Sequence, residues 1–122
     1  MKPLILRKRD VIRNAVRAHR QGRLAATSEL ALTTSGCRYR YDTPKHHCCV
    51  IGASIPPKLA RKFDARENPS VGALIDDGLI VTRGRKFLQR LQSAHDDCIM
   101  KYGVAYLPNC RARLLAMLGI KS

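Results

Sequence analysis

The segment Cys37-Arg38-Tyr39-Arg40-Tyr41 decides the fold. Cys37, Tyr39 and Tyr41 alternate with Arg38 and Arg40, the two-residue period of a β-strand. Asp42-Thr43-Pro44-Lys45 supplies turn chemistry, and His47 to Ile51 reads as a returning strand closed by Gly52. The expectation is a β-hairpin with an apolar face and an opposite face carrying Arg38 and Arg40.

On either side the period lengthens to that of a helix. Residues 8–21 place Val11, Ile12, Ala15, Val16 and His19 at helical spacing, with Gly22 as a stop. Arg9, Arg13, Arg17 and Arg20 fall at i, i+4, i+8 and i+11, an adjacent stripe. A second helical piece is expected over Leu24 to Leu32, broken by Thr33-Thr34-Ser35-Gly36. Pro56-Pro57 suits the first turn of a helix reaching about Arg66, because the missing N–H groups are not needed there. A short helix from Val71 to Asp77 ends at Gly78, and Leu79-Ile80-Val81 reads as a third short strand or buried coil.

The strongest helical pattern runs from Lys86 to Tyr102. Phe87, Leu88, Leu91, Ala94, His95, Cys98, Ile99 and Tyr102 share one face, and Gly103 is the stop. Pro108 opens a last helix with Leu114, Leu115 and Leu118 inward and Arg111 and Arg113 towards solvent. The expected architecture is α+β: a small hairpin, three-stranded if residues 79–81 join it, packed against four or five helices in a single domain, residues 1–122.

Composition bounds the function. The chain has 122 residues, 45% of them hydrophobic, enough for a real core. Trp is absent, so aliphatic side chains must fill that core. No apolar run approaches the ~20 residues of a membrane span, and the basic start Met1-Lys2-Pro3-Leu4-Ile5-Leu6-Arg7-Lys8-Arg9 lacks the long apolar stretch of a secretory signal. The expectation is a cytoplasmic protein of a host bacterial cell, with no membrane partner. Its five cysteines then read as free thiols or metal ligands.

Lys and Arg number 23 against 9 acids, a formal charge of +14. Residues 1–40 hold ten basic and two acidic side chains, residues 81–122 eight and two, whereas residues 41–80 balance at five each. Such an excess opposes compactness through self-repulsion and points to a polyanionic partner. The Arg stripe, with Lys8 and Arg23, could track a phosphate backbone, and Arg38 and Arg40 could add contacts from the hairpin. Helix-turn-helix grammar is loose and no RNA-binding signature is present, so sequence-specific readout is not expected.

Gly36-Cys37-Arg38-Tyr39, Cys49-Val50-Ile51-Gly52, Ile55-Pro56, and Leu91-Gln92 followed by His95-Asp96 together resemble a family of small phage and prophage proteins. In that family a C-x-Y segment leads into C-A-I-G, an I-P-D-E helix start and an L-Q-x-x-H-D helix. The likeness spans roughly residues 36–118 and implies a mobile-element context, with no agreed biochemical activity. Here Pro57-Lys58 stands where the family has an acidic pair, and the first helix is unusually rich in Arg. Both departures favour polyanion binding.

Three enzymatic alternatives arise from the residues. Cys37, Cys49, His95 and Cys98 could supply four zinc ligands, although the usual close C-x₂-C pair is missing; buried core cysteines are the other reading, and no cofactor the default. Cys37 or Cys49 could act as nucleophile with His95 as base, but adjacent helical residues do not share a face, so Asp96 is poorly placed to orient the ring. His95 packed against the hairpin through one hydrogen bond is the competing reading. Asp76-Asp77 and Asp96-Asp97 could hold a divalent cation, but they form no familiar nuclease motif. The expected function is therefore an accessory protein binding nucleic acid or a host nucleoprotein, of the anti-CRISPR inhibitor type. The alternatives are a regulator or packaging factor acting on nucleic acid directly and, more weakly, a zinc- or cysteine-dependent enzyme.

Overall fold

The computed structural model describes residues 2–34, 36–100 and 107–121, and the side chain of Met100 is outside this description. The chain forms β1 (Leu4–Ile5), α1 (Lys8–Arg20), α2 (Leu30–Thr33), α3 (Pro57–Asp64), α4 (Val71–Asp76), β2 (Ile80–Val81), α5 (Arg85–Met100) and α6 (Leu107–Met117). Single 3₁₀ turns occupy Ala25–Thr27 and Gly52–Ser54. The class is α+β, as expected, but the strands lie elsewhere. The sheet is β1 paired parallel to β2, with Leu4 opposite Ile80 and Ile5 opposite Val81. The Leu4 amide donates to Leu79 O at 2.9 Å and the Leu6 amide to Val81 O at 3.0 Å. Residues 79–81 thus supply a strand whose partner is the N-terminus and not the expected hairpin.

The expected hairpin is reduced to a minimal pairing. The chain does turn back over 42–46, and the Tyr41 amide donates to His47 O (2.8 Å) and the Cys49 amide to Tyr39 O (3.1 Å). Only the isolated antiparallel bridge Arg40–Cys48 forms, beside a parallel bridge Leu24–Cys48. Cys48 is thus held from both sides, by Arg40 and by the segment that leaves α1. Inward alternation survives for Tyr39 and Tyr41, which are buried, whereas Cys37 is exposed. One carboxylate explains why the ladder goes no further. Asp64, at the end of α3, takes the Tyr39 amide (2.8 Å), the donor that would continue the ladder, and also the Arg40 amide (3.2 Å) on the other edge.

The helices follow the apolar periodicity. Val11, Ala15 and Ala18 of α1 are buried, and Asn14 Nδ2 donates to Ser54 Oγ at 2.9 Å, seating α1 on the 52–54 turn. Gly22, at φ +71°, reverses the chain as only glycine does without strain. The expected helix over 24–32 splits into the 3₁₀ turn and α2, because Ser28 Oγ bonds the Ala25 carbonyl and takes the Leu30 amide. Ser70 caps α4 by accepting the Ala73 amide at 3.2 Å. On α5, Leu88, Leu91, Ala94, His95, Cys98 and Ile99 are buried as the pattern requires. Tyr102 and Gly103, its expected last turn and stop, lie outside the described residues. α6 packs along α5, with Leu114 and Leu118 buried. Among the described residues no helix is long and apolar enough to cross a membrane.

Candidate functional site

α1 presents Arg9, Arg13, Arg17 and Arg20 to solvent opposite Val11, Ala15 and Ala18. Arg13 is held by Asp10 at 2.9 Å. Arg9, Arg17 and Arg20 have no carboxylate partner among the described residues. Elsewhere Lys45, Arg66, Arg85 and Arg113 engage Glu29, Asp77, Asp76 and Asp97. Apart from Asp10, the acids paired with Lys or Arg lie away from α1. Arg38 is exposed near Asp64, whose carboxyl its charge helps keep ionised.

Arg23 and Arg40 make hydrogen bonds within the fold. Arg23 is half-buried and donates to Gln21 Oε1 (2.9 Å) and His46 O (3.4 Å). Arg40 is half-buried, its Nη2 donating to Ile55 O at 3.0 Å and its Nε buried without a partner among the described residues. It ties the turn-back to the start of α3. Arg111, expected in solvent, donates from Nε to Ala26 O (2.9 Å) and from Nη2 to Ser28 O (3.0 Å), pinning α6 to the 3₁₀ turn. In each case the guanidinium donates to carbonyl oxygens.

Three of the motif segments meet at one pocket of about 240 Å³, lined among others by Cys37, Tyr39, Cys49, Asp64, Gln92 and Asp96. Tyr39 reaches across it, its hydroxyl donating to Pro69 O and accepting from Gln92 Nε2 (3.1 Å), while Gln92 Oε1 takes the Val71 amide (2.9 Å). Asp64 was not singled out by the sequence, and no local pattern marks it.

The thiols here are poor nucleophiles. Partial desolvation in the pocket wall and the neighbouring Asp96 carboxylate push the Cys37 thiol up to about 12 although the residue is exposed overall, and full burial with Asp96 pushes Cys49 well above its ordinary value. Burial also raises Cys48, and burial with the adjacent Cys110 thiol pushes Cys98 up to about 12. Nucleophilic cysteines need the opposite shift.

His95 is fully buried, and its Nε2 accepts the Ala26 amide at 3.2 Å. The ring proton therefore sits on Nδ1, 3.5 Å from Asp96 Oδ1. Two expectations change. The hydrogen bond of the ring goes to the 3₁₀ turn after α1 rather than to the hairpin, and Asp96, although adjacent in sequence, lies within 3.5 Å of it. With Nε2 engaged and Cys98 facing α6, the four zinc candidates do not converge: among the described residues no three His, Cys, Asp or Glu side chains gather as a metal group. His95→Ala would open a cavity and strand the Ala26 amide, at an expected cost of about 3 kcal/mol in urea melts. Binding of nucleic acid by the folded variant should be unchanged.

Asp64 gives a pH-dependent prediction. Burial raises its carboxyl above the ordinary 3.8, against the lowering effect of the two amides it accepts. The native state then holds the Asp64 proton more tightly than the unfolded chain. Its contribution is fully present below pH 3.8 and is lost as pH rises through the raised folded value. Asp64→Asn, which cannot ionise, should show a flatter stability profile between pH 3 and 6 (roughly the range of perturbed carboxyls). Asp64→Ala should lose about 2 kcal/mol, because two amides lose their acceptor. Urea melts across that range compare all three proteins.

Comparison with protein-family models, with curated proteins and with solved structures gave no match to this chain.

Proposed function

We propose that this protein binds a polyanion, nucleic acid or a nucleoprotein, through the exposed basic face of α1, and acts as a mobile-element accessory protein of the anti-defence, anti-CRISPR inhibitor type. The carrying observation is that Arg9, Arg17 and Arg20 lie exposed on neighbouring turns without carboxylate partners among the described residues. Like charges at this spacing repel, and a phosphate backbone relieves that repulsion while releasing counterions. The formal charge of +14 makes the association long-ranged and fast at low salt. Raised thiol pKa values and a histidine committed to a backbone amide support a binding role over cysteine chemistry.

Anisotropy of labelled duplex DNA and single-stranded RNA across a salt series, beside affinity capture from host lysate with and without nuclease, tests the reading. A captured effector that survives nuclease supports the inhibitor. Tight, salt-steep binding to bare nucleic acid with no such effector favours direct regulation or packaging. Absence of both would refute polyanion binding.

A further inference from the structure

We infer that the outer face of the β1–β2 sheet is a docking site for an extended, acidic protein segment carrying an apolar side chain. Ile5 and Val81 are partners in register, and they are 67% and 49% exposed. Leu6 and Ile80 turn inward and are buried, so Ile5 and Val81 stand together on the outer face. With Arg7, Lys8 and Arg83 they line an open groove of about 690 Å³. Among the described residues no carboxylate lines it, and Asp10, the nearest acid in sequence, is held by Arg13. Lys8 Nζ sits over the Phe87 ring, 4.4 Å from its centroid, which leaves Arg7 and Arg83 to meet incoming charge.

The backbone adds a third feature. The Leu4 and Leu6 amides both point to β2, so in an extended strand the Ile5 N–H and C=O point the other way. Among the described residues, no other strand covers that edge of the two-stranded sheet. An occupant must therefore offer apolar surface, negative charge and main-chain hydrogen bonds at once, as an added acidic strand does. A second copy would set Arg7 and Arg83 against cations of its own. A phosphate backbone would leave Ile5 and Val81 in water, and among the described residues no aromatic ring lines the groove to stack on bases. A lipid surface offers nothing to the strand edge. The inference does not depend on polyanion binding by α1.

The probe is a fluorescein-labelled heptapeptide of alternating glutamate and valine, titrated with the full chain by anisotropy. Peptides of glutamate and serine, and of lysine and valine, serve as counterparts. The glutamate–valine peptide should bind at least about tenfold more tightly than either counterpart, and Val81→Glu should weaken it about tenfold or more, a difference of one decade in Kd. Val81→Thr keeps the β-branched shape and serves as the second variant if Val81→Glu melts early. Substituting Arg9, Arg17 and Arg20 should leave peptide affinity unchanged, which separates this site from α1. Failure of the glutamate–valine peptide to bind, equal binding of the glutamate–serine peptide, or indifference to both Val81 variants overturns the inference. So does Val81-dependent dimerisation, or Val81-dependent binding to phosphatidylserine vesicles, without peptide binding.

Discussion

Gly52→Ala should be among the most damaging single substitutions in the chain, costing about 3 kcal/mol or more, the upper range of overpacking. A Cβ at this position would lie 2.6 Å from the Tyr39 carbonyl carbon and 2.9 Å from its Cα, and closer still to its oxygen. The obstacle is backbone, which cannot swing aside as a long side chain can. That same oxygen accepts the Cys49 amide at 3.1 Å, and the Gly52 carbonyl accepts the Ile55 amide at 3.0 Å. Relieving the clash means separating the 37–41 segment from the 49–55 segment, and with them the two amides bound by Asp64 and the Arg40 contact to Ile55. The position is not chosen for a left-handed turn, since among the described residues Gly22, Gly78 and Gly119 are the glycines with positive φ. It is chosen for close approach. A melting temperature lower by about 12 °C follows for a domain of this size, with scanning calorimetry as the check. A shift of under about 2 °C would show that the two segments part easily.

The helices were legible because their signals are local. α1 and α5 repeat apolar residues every three to four positions, and Pro57 and Gly78 mark ends by backbone chemistry that needs no tertiary partner. The inward placement of Tyr39 and Tyr41 was legible for the same reason, since alternation fixes faces even where no ladder forms. The pairing was not. Whether Tyr39 and Arg40 give their amides to a strand or to Asp64 depends on where α3 ends in space. β1 and β2 are two residues each and far apart in sequence, too short to show a period. The charged residues divide similarly. Exposure of the α1 arginines follows from an amphipathic stripe, but the engagement of Arg40 with Ile55 O and of Arg111 with Ala26 O and Ser28 O depends on carbonyls brought close only by folding. His95 was marked by sequence as a core histidine, and its partner was not, because Ala26 is a first-turn residue whose amide has no acceptor in its own helix, and only folding brings His95 to it.

Replacing Arg9, Arg17 and Arg20 together by Gln should leave the fold intact and reduce affinity for nucleic acid by about two orders of magnitude near physiological salt, from three lost phosphate contacts. These three project away from buried Val11, Ala15 and Ala18, and no carboxylate among the described residues depends on them. Arg13 is left in place because it holds Asp10 at 2.9 Å, and removing it would free a negative charge on the same face. Stability should if anything rise slightly, because like charges on adjacent turns cost a few tenths of a kcal/mol per pair. Binding should move the other way. Each phosphate neutralised contributes about −0.9 to the slope of log K against log salt on duplex DNA, so the triple variant should be flatter by about 2.7. A contact that positions without reading bases weakens all sequences alike, so the loss should be equal for unrelated duplexes. The salt series separates this mechanism from general charge reduction: substituting Lys58, Arg61 and Lys62, exposed on α3, removes the same formal charge from a different helix. If α1 is the interface, the α3 variant keeps most of the slope and the α1 variant does not. Equal losses in the two variants would mean that net charge alone attracts the polyanion, and unchanged affinity in the α1 variant would reduce its stripe to a solvated face.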